Sequence, residues 1–155
     1  MAWNITLTLI EASEDQIDLI IPDIFEKVKE GMIFEDATSV SIGQGVSVGY
    51  FNGFVIIIEV AGRMVSDDKF PMQLSKQFDV LLCHISEEIV FRTYKGGEVQ
   101  QNIYGREEAR AWLETNKVIP KDEWGETMSW QILEFVTKIT LDDLFNLKYD
   151  LYEVE

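Results

Sequence analysis

The chain predicts an α+β fold: a mixed or largely antiparallel sheet with helices packed on it and a helical C-terminal third. Three observations carry that expectation. Short apolar runs recur between Trp3 and Tyr104, two pairs of them joined at hairpin turns. Apolar residues at helical spacing separate other runs and dominate after Arg106. No repeat period, linker or Pro/Ser-rich boundary interrupts the 155 residues, so one domain over 1–155 is expected.

The elements follow in order. Trp3, Ile5, Leu7 and Leu9 alternate with Asn4, Thr6 and Thr8, which places every second side chain on one face and predicts a strand over 3–10. Ser13 and Gln16 have capping-box spacing, and Ile17, Ile20, Ile21, Ile24, Phe25 and Val28 recur at helical intervals, predicting a helix that ends near Gly31. Pro22 removes a backbone donor, so that helix is either kinked or split in two with Pro22 opening the second piece.

Residues 37–42, 46–51 and 54–60 then read as strands. Asn52-Gly53 between the last two supplies residues that tolerate positive φ, as a type I′ hairpin turn demands. Phe54 to Ile58 is apolar without alternation, so this strand should be covered on both faces and lie centrally in its sheet. Pro71 with Phe70, Leu74 and Phe78 suggests a short helix over 69–77, followed by a buried strand over 78–85. Residues 89–94 and 98–104 form a second hairpin across Lys95-Gly96-Gly97. Arg106 to Asn116 is a helix with Ala109, Trp112 and Leu113 on one side, and Thr127 and Thr140 are placed as N-caps of two more.

Composition narrows function. The 28 acidic residues against 13 basic ones give a formal charge of −15, while 46% of residues are apolar, far too many for a disordered acidic tail. Nucleic-acid affinity is driven largely by Lys and Arg displacing condensed counterions, so direct DNA or RNA binding is not expected. The same sign disfavours anionic membrane surfaces, and no apolar run approaches the roughly 18 residues of a membrane span. A basic protein is the natural complement. The single thiol, Cys83, cannot form an internal disulfide, and Met1 to Ile10 has neither a positive n-region nor an unbroken apolar stretch, so a cytoplasmic protein is expected. Charge is concentrated at the ends: residues 1–36 hold nine acids against Lys27 and Lys29, and 140–155 hold five against Lys148.

No catalytic, cofactor or metal motif emerges. Cys83-His84 invites a thiol–imidazole reading, but neighbours on a strand point to opposite faces. Gly43-Gln44-Gly45 lacks the third glycine of a dinucleotide loop and the Lys-Ser/Thr of a P-loop, and reads as a turn. Asp67-Asp68, Glu87-Glu88 and Asp142-Asp143 lack calcium-loop spacing and read as turn and cap residues. Of the clustered indoles, Trp112 and Trp130 follow helical apolar periodicity and read as core, whereas Trp124 lies in the polar loop 120–125 and is the one expected to be exposed.

The run Leu74-Ser75-Lys76-Gln77-Phe78-Asp79-Val80-Leu81-Leu82-Cys83, followed by Phe91-Arg92-Thr93-Tyr94-Lys95-Gly96-Gly97-Glu98-Val99, resembles a pattern in small acidic bacterial proteins of uncharacterised function. In these a short helix leads into a buried strand and then a strand with a y-x-x-G turn. Leu144 to Leu151 is similar to their closing helix and extended tail. Some such proteins are immunity partners of polymorphic toxins, so the resemblance implies binding and blocking a toxin domain. No functional residue carries over, because the matched positions look structural.

The resulting expectation is a non-enzymatic binding domain that holds a basic protein partner, with no cofactor. Glu14, Asp15, Asp18, Asp23, Glu26 and Glu30 in the first helical region, and Trp124, are the contact candidates. Two rivals stay open: a carboxylate- or metal-dependent hydrolase, and a homo-oligomeric module assembled through a sheet edge or the surface around Trp124.

Overall fold

The computed structural model describes residues 3–154; residues 1, 2 and 155 of the expected domain lie outside the described residues. Eight strands form one sheet: β1 (Ile5–Glu11), β2 (Phe25–Met32), β3 (Val46–Phe51), β4 (Phe54–Glu59), β5 (Val80–Ile85), β6 (Val90–Lys95), β7 (Glu98–Tyr104) and β8 (Tyr149–Val154). Their order is β2-β8-β3-β4-β1-β5-β6-β7, and every pairing is antiparallel.

Seven helices interleave with them: α1 (Ile17–Ile20), α2 (Phe34–Ala37), α3 (Arg63–Ser66), α4 (Lys69–Leu74), α5 (Gly105–Thr115), α6 (Gly125–Thr137) and α7 (Leu141–Asn146). They divide between the two faces. On one, Leu7, Ile56, Ile58, Cys83 and Phe91 pack against apolar residues of α2, α5, α6 and α7. On the other, Ile10, Val55, Ile57 and Leu82 are covered by Ile20 and Ile21 and by the side chains of α3 and α4. The non-alternating run of β4 is explained by this three-layer arrangement, since Val55 to Ile58 alternate between two buried faces.

Both hairpins form as the turn residues dictate. Asn52 and Gly53 have φ of 52° and 83°, the pair of positive values a type I′ turn requires. β6 and β7 meet across Gly96-Gly97. Thr140 caps α7 in a reciprocal box: its hydroxyl accepts from Asp143 N at 3.1 Å while Asp143 Oδ2 accepts from Thr140 N at 2.9 Å.

Four expectations are corrected. The long first helix stops at Ile20; Ile21, held extended at ψ 124° as residues before proline are, turns the chain into β2. The apolar spacing that simulated one helix serves two elements, with Ile17, Ile20, Ile21 and Phe25 packed on the sheet and Ile24 and Val28 exposed. Residues 37–42 are not a strand: they end α2 and form a 3₁₀ turn. There Thr38 Oγ1 donates to Phe34 O at 2.9 Å and Ser39 Oγ accepts from Ser41 N, local bonds that compete with a sheet ladder. Thr127 is not an N-cap, because α6 starts at Gly125 and Asp122 accepts from both Trp124 N and Thr127 Oγ1. Finally, the C-terminal third is not wholly helical: after α7 the chain enters the sheet as β8, between β2 and β3.

Candidate functional site

Alternation along β1, β4 and β5 assembles a polar row on the face that carries Ile57 and Leu82. Thr6 of β1 lies opposite Glu59 on one side and His84 on the other. Glu59 is only 1% exposed, the one buried charged side chain among the described residues. Both of its oxygens are engaged: Oε2 accepts from Arg63 Nε at 3.0 Å and Oε1 from Met64 N at 2.9 Å. The carboxylate thus satisfies a free N–H in the first turn of α3 while neutralising a guanidinium, and Arg63 also donates to Gln44 O. Together these bonds fasten α3 over the sheet.

Beside that clamp opens a cleft of about 220 Å³. Val46 and Ile57 floor it, Ile21, Pro22 and Phe25 make one wall, and Met64 and Phe70 the other; Glu59, Arg63 and Asp67 supply its polar edge. An apolar hollow with a few polar groups at its margin is the usual form of a site that accepts an anchoring side chain.

The six carboxylates proposed from sequence are all exposed, but they do not form one patch. Glu14, Asp15, Asp18 and Asp23 lie on the segment whose Ile21 and Pro22 wall the cleft. Glu26, on β2, stands opposite Glu153. Glu30 is drawn instead to Lys27, 3.7 Å away, which also pairs with Asp150 at 3.4 Å. Exposed apolar side chains accompany the acids: Leu19 is 74% exposed and Ile24 63%. Trp124 is exposed as expected, but it sits with α6, which packs on the opposite face of the sheet.

The cleft and the Glu59–Arg63 clamp escape sequence reading. The only local signal is a carboxylate closing an apolar strand with an arginine four residues later, a spacing common to many exposed helix pairs.

Other candidates resolve as their geometry dictates. Cys83 and His84 point to opposite faces, and burial pushes the Cys83 thiol up to about 12. Asp68 accepts from Tyr94 Oη at 2.9 Å and lies 3.6 Å from Arg92, while Asp67 Oδ1 accepts from Lys69 N, so this pair serves its own turn and β6. Among the described residues no group of three or more His, Cys, Asp or Glu side chains is arranged to hold a metal ion, and no helix is long and apolar enough to cross a membrane.

His84 is half-buried, its Nδ1 3.0 Å from Thr6 Oγ1. Burial holds its pKa below the ordinary imidazole range, against the opposing pull of Glu88 and Glu59. Because the folded value lies below the unfolded one of about 6.5, the unfolded chain takes up the proton first on acidification, so this contribution to stability falls with pH until the folded pKa is passed. As the only histidine, it is readily followed by proton NMR. A midpoint below 6.5 is expected, and one above would contradict the burial argument.

No protein-family model, curated protein or solved structure matches this chain.

Proposed function

We propose that this chain is a non-enzymatic domain that binds a basic protein, with the cleft between α1–β2 and α3–α4 accepting an apolar side chain of that partner and the acids beside it meeting cationic groups. One observation carries the reading: Ile21 and Pro22, which wall an apolar hollow, belong to a stretch, residues 11–26, that holds Glu14, Asp15, Asp18 and Asp23 but no Lys or Arg. An apolar centre with a charged rim is the anatomy of a protein interface; Arg63, the cation in the cleft lining, is paired with Glu59, so the surplus charge on the adjoining stretch is negative and favours partners of opposite sign.

A toxin nuclease fits the partner's description, because a groove that binds nucleic acid must be cationic; the immunity role and a cytoplasmic setting are part of this proposal and rest on the resemblance and on the lone thiol. The hydrolase reading gains less support, since the one deeply buried carboxylate already spends both oxygens on Arg63 and Met64. Assembly through the β2 edge is opposed by two register shifts and by Lys27 and Lys29, features that discourage edge pairing.

The test is capture from the native lysate at low salt, followed by kinetics on the retained protein with wild type and an Asp15→Lys/Asp18→Lys/Asp23→Lys variant. Association should slow by about tenfold or more in the variant, and should slow in wild type as salt is raised. Association rates indifferent to both changes would reject the electrostatic reading.

A further inference from the structure

A second hollow lies on the other face of the sheet, independent of the cleft and of the acidic stretch. It has a volume of about 480 Å³ and is lined by three indoles, Trp3, Trp124 and Trp130, together with the carboxylate residues Glu87 and Glu126. An adjoining hollow shares Glu87, Trp124 and Glu126 and adds Glu88 and Arg106, so carboxylates outnumber cations around Trp124.

The walls are built, not incidental. Trp3 and Trp130 meet edge to face with ring centroids 5.6 Å apart. Trp3 N donates to Glu126 Oε2, which fixes that carboxylate beside the indoles. Asp122 holds the backbone of Trp124 through its N–H at 2.8 Å. The β5–β6 corner is pressed against the start of α6 so closely that a Cβ on Gly125 would stand 2.5 Å from Glu87 O; only glycine permits the approach that brings Glu87 and Trp124 to one cavity.

Indole faces attract cations through their quadrupole, and carboxylates accept from N–H donors. Guanidinium offers both a flat cationic surface for stacking and a fork of donors for carboxylates, whereas an ammonium offers a compact, strongly hydrated point charge. The N-terminus of α6 would by itself favour an anion, but Glu126 in its first turn already occupies that field. Trp124 is 63% exposed, which leaves the hollow open on that side and suits a side chain presented from a polypeptide better than an engulfed small molecule.

We infer that this hollow is a guanidinium-binding subsite that receives an arginine side chain of a polypeptide, stacked on Trp124 and hydrogen-bonded to Glu87 and Glu126. The test uses the intact protein and blocked amino acids, followed by NMR at the four indole N–H groups. N-acetylarginine amide should produce saturable shifts at Trp124 and Trp130, with Trp112, packed between Phe91 and Phe135, as the unmoved reference. N-acetyllysine amide should bind several-fold more weakly, and neutral N-acetylglutamine amide should cause no saturable shift. An arginine set in a blocked Gly-Arg-Gly peptide should bind at least as well as the single amino acid, whereas loss of binding in the peptide would overturn the polypeptide assignment. Trp124→Ala and Glu87→Gln, both changes at the surface, should each weaken arginine binding about fivefold or more with the fold intact. Equal shifts with the glutamine compound, no saturable shift with the arginine compound, or unchanged binding in both variants would overturn the subsite. None of these measurements involves the cleft, so their failure and that of partner capture are separately readable.

Discussion

Replacing Arg63 by alanine should destabilise the fold by about 3 kcal/mol, more than neutralising the carboxylate it pairs with. Stripping one partner from a buried ion pair costs about 3–5 kcal/mol because the remaining charge stays desolvated. The lower end applies because Arg63 is 44% exposed and water can enter where it leaves, whereas Glu59 itself is 1% exposed. Glu59→Gln keeps an acceptor for Met64 N and removes the charge, so it should cost about 1–2 kcal/mol, the range of a weakened hydrogen bond to a charged group. The distinguishing result is the double variant: with Gln at 59 there is no stranded carboxylate, so Arg63→Ala/Glu59→Gln should be more stable than Arg63→Ala alone. Urea denaturation with an unchanged m-value would measure all three. If Arg63→Ala is nearly neutral, or the double variant is the least stable, the clamp is not what holds α3 over the sheet.

What could be read from the chain, and what could not, follows the range of the physics involved. Asn52-Gly53 specifies its turn through backbone sterics of two residues, and Phe54 to Ile58 announces double-sided burial by composition alone; both are local statements and both stand in the structure. So is the opposition of Cys83 and His84, fixed by strand geometry. The segment from Ser13 to Met32 fails for a different reason. Its apolar spacing is compatible with a helix and with a helix, a proline turn and a bulged edge strand, and only pairing with β8, some 120 residues later, decides between them. The candidate site was legible only in part. Acids near the first helix are evident from composition, but the cleft walled by Ile21 and Pro22 of the same stretch needs α3 and α4 to lie beside them on one face of the sheet, a juxtaposition of segments about 40 residues apart. Likewise the split of Glu26 and Glu30 away from the other acids depends on their lying on β2 and not on a helix.

The C-terminal strand carries the second large effect. Among the described residues β8 is the only strand that joins β2 to the rest of the sheet, and Tyr149, its first residue, is fully buried. Its hydroxyl donates to Leu144 O at 2.7 Å, tying the end of α7 to the strand, and its ring packs 6.0 Å from that of Phe34. Gly49 of β3 lies directly beneath the ring: a Cβ there would stand 2.8 Å from two ring carbons, so the aromatic occupies space that the neighbouring strand leaves empty. Tyr149→Ala therefore removes a packed aromatic over a gap that no adjacent side chain can fill, and should cost about 3–5 kcal/mol. Tyr149→Phe keeps the ring and loses one buried hydrogen bond, leaving the Leu144 carbonyl without that donor, and should cost about 1–2 kcal/mol. The pair separates packing from hydrogen bonding. Hydrogen exchange adds a spatial readout, because β2 amides bonded to β8 should lose protection in Tyr149→Ala before those of β1, β4 and β5 do. Uniform loss of protection across the sheet would mean that β8 belongs to the same cooperative unit as the central strands, and that the docking of this edge is as much a condition of folding as the core itself.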